Sequence, residues 1–217
     1  MEIFYPSKGI LPALAEFLNI EDLNSLSQTC KNFQQAKHVR YVYNGSGILF
    51  ELFIKFRYVK RLNLWRIQNT DLTPLAYLTN LTELDLQTSQ ITNLTPLNNL
   101  TNLTVLYLCY NQITDLKPLA YLTNLTELNL HTNQITNLTP LNNLTNLTVL
   151  YLRYNQITDL TPLAYLTNLT KLYLSNNQIT DLSPLAYLAN LTILYLTDNR
   201  ITNLTPLAYL TNCKNYK

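Results

Sequence analysis

Few residues in this 217-residue chain are of the types that carry covalent or metal chemistry. Its two histidines, His38 and His131, have no nucleophile or metal-ligating partner at a fixed offset, so neither reads as half of a catalytic pair. Its three cysteines, Cys30, Cys109 and Cys213, form no Cys-x-x-Cys and leave zinc without a ligand set. An odd number of widely spaced thiols also suits a reducing compartment without disulfides. Only three glycines occur, Gly9, Gly45 and Gly47, too few and too scattered for a phosphate-cradling loop. Asp71, Asp115, Asp159 and Asp181 recur at one offset, but Asn stands there in the intervening segments, and that exchange favours a turn role over calcium. We therefore expect no catalytic residue, no metal, no cofactor and no enzymatic activity.

Net charge is +2 with no basic run, which argues against nucleic acid and anionic membranes as partners. No apolar run approaches the roughly 18 residues that span a bilayer. The opening, MEIFYPSKGILPALAEFL, lacks the basic and then continuously apolar plan of a secretory signal. Asn-Leu-Thr recurs at Asn80, Asn102, Asn124, Asn146 and Asn168, and each copy is formally a glycosylation acceptor. A chain spelling that triplet in nearly every repeat is expected to work in the cytosol, away from glycosylation.

The elements that position these residues follow from a repeat. From Leu81 to Asn212 the chain reads as six 22-residue units. In one unit the apolar places are Leu125, Leu128, Leu130, Ile135, Leu138, Leu141 and Leu144, and every other unit keeps Leu or Ile at the same offsets. Proline recurs at Pro96, Pro118, Pro140, Pro162, Pro184 and Pro206. Asparagine recurs at Asn111, Asn133, Asn155, Asn177 and Asn199, with Ser89 in its place once. Leu-x-Leu puts two leucines on one face of a short strand. One unit cannot bury its own leucines, so its neighbours must stack on it. The recurrent Asn is expected to satisfy backbone groups of its own turn and of the next rung. Proline belongs on the convex return path, where no ladder donor is needed. The turns must rely on Asn, Asp, Thr and Pro, since no glycine follows Gly47.

This wording resembles the internalin-like class of leucine-rich repeats, over residues 59–212. The resemblance implies an α/β solenoid, a horseshoe with a parallel sheet on its concave face, built from seven 22-residue units. The opening unit, Val59 to Asn80, is divergent at Ile67 and Asn69, as expected beside a cap. Leu81 to Asn124 and Leu125 to Asn168 differ at five of 44 positions: Asp85/Asn129, Gln87/His131, Ser89/Asn133, Cys109/Arg153 and Lys117/Thr161. Three of these, 85/129, 87/131 and 109/153, are expected on the exposed face of the strand. A two-unit duplication explains the similarity.

Residues 1–40 lie outside the repeat. Pro12 suits the first turn of a helix bearing Leu11, Leu14 and Leu18, and Asn19 can cap a second bearing Leu23 and Leu26. The wording LPALAEFLNIEDLNSLSQTCKNF resembles an F-box, the helical module that docks on the Skp-type adaptor of cullin–RING ubiquitin ligases. Asp22-Leu23, Leu26 and Cys30-Lys31-x-Phe33 match the second half of that module, with Phe33 where the family has Trp. The resemblance implies adaptor contacts at Leu11, Pro12, Leu14, Leu18, Leu23, Leu26, Cys30 and Phe33. Alternatively these helices only cap the first strand, as every such array requires. Residues 41–58, with Leu49, Leu52, Phe53 and Phe56 on one helix face, read as a helical joint capping the solenoid. Residues 213–217 begin another unit and stop, which leaves a sheet edge open to self-association.

The partner surface is expected on the concave sheet. The column between the strand leucines runs Asn63, Asp85, Tyr107, Asn129, Tyr151, Tyr173, Tyr195. Another runs Arg66, Thr88, Tyr110, Thr132, Tyr154, Asn176, Asp198, with Trp65 and Arg153 in the column beside it. Tyr, Trp and Arg dominate protein interfaces, although tyrosine also favours strands for its own sake. Tyr77, Tyr121, Tyr165, Tyr187 and Tyr209 fall on the convex path and are expected to matter less. The whole reads as an adaptor: an F-box docks on a cullin–RING ligase and the repeats recruit a target protein. The mixture of bacterial repeat style and eukaryotic module implies a pathogen effector in a host cytosol. A repeat scaffold with a helical cap and no ubiquitin link is the alternative.

Overall fold

The computed structural model of the protein describes residues 40–42, 60–67, 70–213 and 215–216. Among these, nine short strands form one sheet in sequence order, each pair parallel. They are β1 (Arg40–Val42), β2 (Arg61–Asn63), β3 (Glu83–Asp85), β4 (Val105–Tyr107), β5 (Glu127–Asn129), β6 (Val149–Tyr151), β7 (Lys171–Tyr173), β8 (Ile193–Tyr195) and β9 (Asn215–Tyr216). Leu84 pairs with Leu106 and Leu106 with Leu128, so the repeat period sets the register. A slip by one residue would turn every one of these leucines outward.

The expected α/β description holds for the sheet and is corrected for the return path. No α-helix occurs among the described residues. The segments Thr73–Tyr77, Thr95–Leu97, Lys117–Tyr121, Thr139–Leu141, Thr161–Tyr165, Ser183–Tyr187 and Thr205–Tyr209 are 3-10 helices. The physical reason is length: with a strand and two turns in each short unit, only a turn or two of tight helix fits. Proline stands at the start of each, where its missing N–H costs nothing. The recurrent Asp or Asn ahead of each proline-bearing turn does what a turn residue does. Asp115 Oδ1 accepts the Lys117 N–H at 2.9 Å, and Asn93 Oδ1 accepts that of Thr95 at 2.9 Å.

Between sheet and return path lies a continuous core of stacked leucines and isoleucines, Leu84, Leu86, Ile91, Leu94, Leu97 and Leu100 forming one layer of it. Side-chain ladders run along the stack beside the main-chain one. Asn111 Oδ1 accepts the Ile91 N–H at 2.9 Å while Nδ2 donates to Leu86 O at 2.9 Å and Leu108 O at 3.0 Å. Asn133, Asn155, Asn177 and Asn199 repeat the pattern. The expected partner of this Asn is the next rung, and the observed one is the preceding rung. The Ile91 N–H and Leu86 carbonyl of the earlier rung are offered toward the later one. Ser89 is too short to reach back; its hydroxyl donates to Gln87 O at 2.8 Å, and the Ile67 N–H of the first unit turns to Leu64 O at 3.1 Å. A second ladder joins Thr82, Thr104, Thr126, Thr148 and Thr170, where the Thr104 hydroxyl donates to Thr82 O at 3.0 Å. A third uses the Asn-Leu-Thr triplet itself: Asn102 Nδ2 donates to Thr79 O at 2.8 Å and Asn124 Nδ2 to Thr101 O at 2.9 Å. These triplets are structural parts of the coil.

The helical module expected at 1–40 and the joint at 41–58 lie outside the described residues except for β1. There Arg40–Val42 pairs with β2, Tyr41 opposite Leu62 in register. The adaptor residues Leu11, Pro12, Leu14, Leu18, Leu23, Leu26, Cys30 and Phe33 all fall outside. At the other end, Cys213 is buried at a leucine offset and β9 pairs along β8.

Candidate interaction surface

The outer face of the sheet carries the residues read as a partner surface. Because side chains alternate across a strand, the column between the inward leucines projects from it: Asn63, Asp85, Tyr107, Asn129, Tyr151, Tyr173 and Tyr195. Three of the tyrosines form one stack. Tyr151 and Tyr173 lie 4.5 Å apart at 13°, and Tyr173 and Tyr195 lie 5.2 Å apart at 10°. The in-register pairing of Tyr151 with Tyr173 and of Tyr173 with Tyr195 produces this. Each ring covers part of its neighbour, so the stack is half-buried and presents ring edges and hydroxyls outward. Tyr107 stands apart, one rung beyond Asn129. Burial pushes its phenol up to about 12, aided by the charge of Glu127 and a hydrogen bond to it. The Tyr151 hydroxyl is raised for the same first reason, with Glu127 next.

Arg66, Tyr110 and Tyr154 do not sit on strands, and that expectation is corrected. Their column lies in the turn after each strand, at φ of 59°, 56° and 55°, with Thr88, Thr132, Asn176 and Asp198 equally left-handed. The turn needs a positive φ at this place, and with no glycine the chain forces bulky and β-branched residues into it. This orientation throws Tyr110 and Tyr154 outward, about half exposed.

The column between strand and turn is the one that differs most from expectation. Cys109, expected on the exposed face, is buried at 3 % exposure because Gln87 lies over it and its Sγ donates to Gln87 Oε1 at 2.9 Å. Burial also raises its thiol to about 11, with the charge of Asp85 adding to the shift. His131, not among the expected partner residues, sits between two tyrosines. Its ring is edge-on to Tyr110 at 5.0 Å and to Tyr154 at 5.4 Å, and Nε2 lies 3.2 Å from the Tyr110 hydroxyl. Burial lowers its pKa, and the charge of Arg153 lowers it further. Arg153 Cζ lies 5.8 Å from the Tyr154 ring centroid. One signal did point to His131: it is one of the five differences between the duplicated halves. Its aromatic neighbours belong to the rungs before and after its own, a proximity visible only once the rungs are stacked.

The structure thus brings Tyr151, Arg153, Tyr154, Tyr173 and Tyr195 to adjoining rungs, with Tyr110 two rungs before Tyr154 and His131 between them. Trp65 and Arg66 remain at the β2 end of the sheet, where the Arg66 guanidinium lies 4.4 Å over the Trp65 ring. Convex Tyr121, Tyr165, Tyr187 and Tyr209 are the most exposed aromatics described, Tyr187 at 69 %. No helix among the described residues is long and apolar enough to cross a membrane.

A family model described as leucine-rich repeats, two copies, matches residues 101–143, 133–165, 145–187 and 167–209. No curated protein matches the chain. Among solved structures it is similar to an internalin C2 from Listeria monocytogenes, at 38 % identity and TM-score 0.78, over 89 % of this chain and 92 % of that one. An internalin of the same organism, InlF, is 36 % identical with TM-score 0.76, over 82 % of this chain and 53 % of that one. The leucine-rich-repeat ectodomain of a plant membrane receptor kinase from Arabidopsis thaliana, solved in complex with CASPARIAN STRIP INTEGRITY FACTOR 2, is 25 % identical with TM-score 0.70. That match covers 80 % of this chain and 23 % of the receptor chain.

Proposed function

From the premise that the chain belongs to the leucine-rich-repeat family, internalin-like in its repeats, we propose that it is a protein-interaction subunit without a reaction of its own, recruiting a target protein on the outer face of its sheet. The Tyr151–Tyr173–Tyr195 stack flanked by Arg153 and Tyr154 carries this reading. Rigid aromatics with polar tips bury large area at low entropy cost, and stacking has fixed these rings before any partner arrives. The plant receptor ectodomain, solved with a bound factor, supports the use of such repeats for protein recognition. The test is a photo-crosslinking amino acid placed at Tyr154 or, as control, at Tyr165. A partner crosslinked from Tyr154 and not from Tyr165 supports the assignment; the reverse overturns it.

The finer reading is that residues 1–40 are an F-box that docks on a Skp-type adaptor, so that the recruited target is delivered to a cullin–RING ubiquitin ligase in a host cytosol. Its support is the wording from Leu11 to Phe33, together with the free, buried thiol of Cys109, which suits a reducing compartment. Purified Skp-type adaptor titrated into the full chain is expected to bind, and Leu23→Asp with Leu26→Asp to abolish binding while the repeats stay folded. No binding by the unmodified chain overturns it. The pairing of β1 on β2 favours a second reading, in which this segment serves as the cap of the first repeat strand.

A further inference from the structure

Three buried polar atoms in the column beside the tyrosine stack have no hydrogen-bond partner in the protein: His131 Nδ1, Arg153 Nε and Ser175 Oγ. They stand at one repeat offset on three consecutive rungs, about 4.8 Å apart. Main-chain bonds hold that spacing, Thr132 N–H to Arg153 O at 2.8 Å and Tyr154 N–H to Ser175 O at 3.0 Å. Buried polar groups are ordinarily paired, and leaving one unpaired costs roughly 1–3 kcal/mol. Ser175 is only 1 % exposed. The arginine Nε–H and the serine hydroxyl are donors. His131 Nε2 lies 3.2 Å from the Tyr110 hydroxyl, and in the tautomer that accepts from that hydroxyl the ring proton sits on Nδ1 and adds a third donor. A run of donors selects an acceptor with several lone pairs.

Charge points the same way. Among the described residues Arg61 pairs with Glu83 at 2.8 Å, while Arg153 has no carboxylate partner. Glu127, the nearest acid by rung, accepts from Tyr107 on the side away from Arg153. Going from the first duplicated half to the second, all three differences in the outer columns run toward positive charge or donor character: Asp85 to Asn129, Gln87 to His131, Cys109 to Arg153. Lys171 adds a further exposed cation on β7. The tyrosine rings beside them spend their faces on one another and offer electropositive edges and hydroxyls.

We propose that Arg153, with His131 and Ser175 on the flanking rungs, is a carboxylate site that takes an acidic side chain of the protein partner against the Tyr151–Tyr173–Tyr195 stack. This rests on the sheet face being the recruiting surface. An arriving carboxylate supplies an acceptor to the orphaned Arg153 Nε–H and to a donor on a flanking rung, and a counter-charge to Arg153, which is worth more than in water because these groups are already desolvated.

The test is chemical-shift mapping on the full chain with three probes: acetyl-tetraglutamate amide, acetyl-tetraglutamine amide and inorganic phosphate. The tetraglutamate peptide is expected to shift His131, Ser175 and the Arg153 Nε–H saturably, with no saturable shift from tetraglutamine. Arg153→Gln is expected to weaken that binding about ten-fold or more. Arg153→Cys, which installs the residue that the equivalent position 109 already accommodates, should do the same with the amide spectrum otherwise unchanged. Equal binding of tetraglutamine, or unchanged affinity in both variants, overturns the proposal. Phosphate saturating the site where tetraglutamate does not overturns the carboxylate assignment. Shifts at Tyr151 and Tyr173 without His131 overturn it and leave the sheet-face reading standing, whereas shifts confined to Tyr165 and Tyr187 overturn both.

Discussion

Asn133 Oδ1 accepts the Ile113 N–H of the preceding rung at 3.0 Å, and its Nδ2 donates to Leu108 O and Leu130 O at 3.0 and 3.1 Å. One side chain therefore closes the turn of its own rung and the open backbone of the rung before it.

Asn133→Ala removes both roles and leaves buried main-chain groups unpaired, so a loss of roughly 2 kcal/mol or more is expected in urea unfolding. Exposed Asn143→Ala, in the same unit, should stay within about 0.5 kcal/mol. Equal effects from the two would show that the ladder contributes little.

Thr132 holds φ at 53°, where a β-branched side chain crowds its own backbone. Asn176 and Asp198 fill the same turn two and three rungs on. Thr132→Asn keeps the N–H that donates to Arg153 O and relieves the crowding, and should stabilise the fold by about 1 kcal/mol, raising Tm by roughly 2–4 °C. A fall in Tm would mean that the threonine methyl packs in a way that outweighs strain.

The Cys109 thiol is buried and raised to about 11 from an ordinary 9.0. Folding therefore favours the neutral thiol: this contribution to stability is whole below pH 9.0 and is lost as pH rises through about 11. Iodoacetamide at pH 8 should label Cys109 far more slowly than a free thiol, and Cys109→Ser should flatten the alkaline end of the stability curve. Rapid labelling of the folded chain would contradict the burial.

Much of this was legible from the leucines. A fixed period with Leu-x-Leu at one offset admits one register, and Leu84, Leu106 and Leu128 pair as it requires. The surface columns followed from alternation along the strand. What was not legible depends on conformation that side-chain type does not announce. Tyr110 and Tyr154 read as strand residues, because tyrosine signals a strand and nothing in its type signals a left-handed turn. Cys109 read as exposed by offset, but it is short beside Gln87, which folds over it. The return path read as the helical half of an α/β unit, and so short a repeat leaves room only for 3-10 turns. His131 reads as an isolated histidine along the chain, and only stacking brings Tyr110 and Tyr154 against it.

The most direct test of the recruiting face compares two double variants in binding to the partner identified by crosslinking from position 154. Tyr151→Ala with Tyr173→Ala removes the centre of the stack. Some stability goes with it, since each stacked pair contributes about 0.5–1.5 kcal/mol beyond its area, so retention of the fold is checked by circular dichroism at the assay temperature. Tyr165→Ala with Tyr187→Ala removes the more exposed rings of the convex side. Affinity measured by calorimetry is predicted to fall by about 2 kcal/mol or more for the first pair and to stay unchanged for the second. An unchanged affinity for the first pair, or an equal loss from the second, would contradict the assignment of the sheet face.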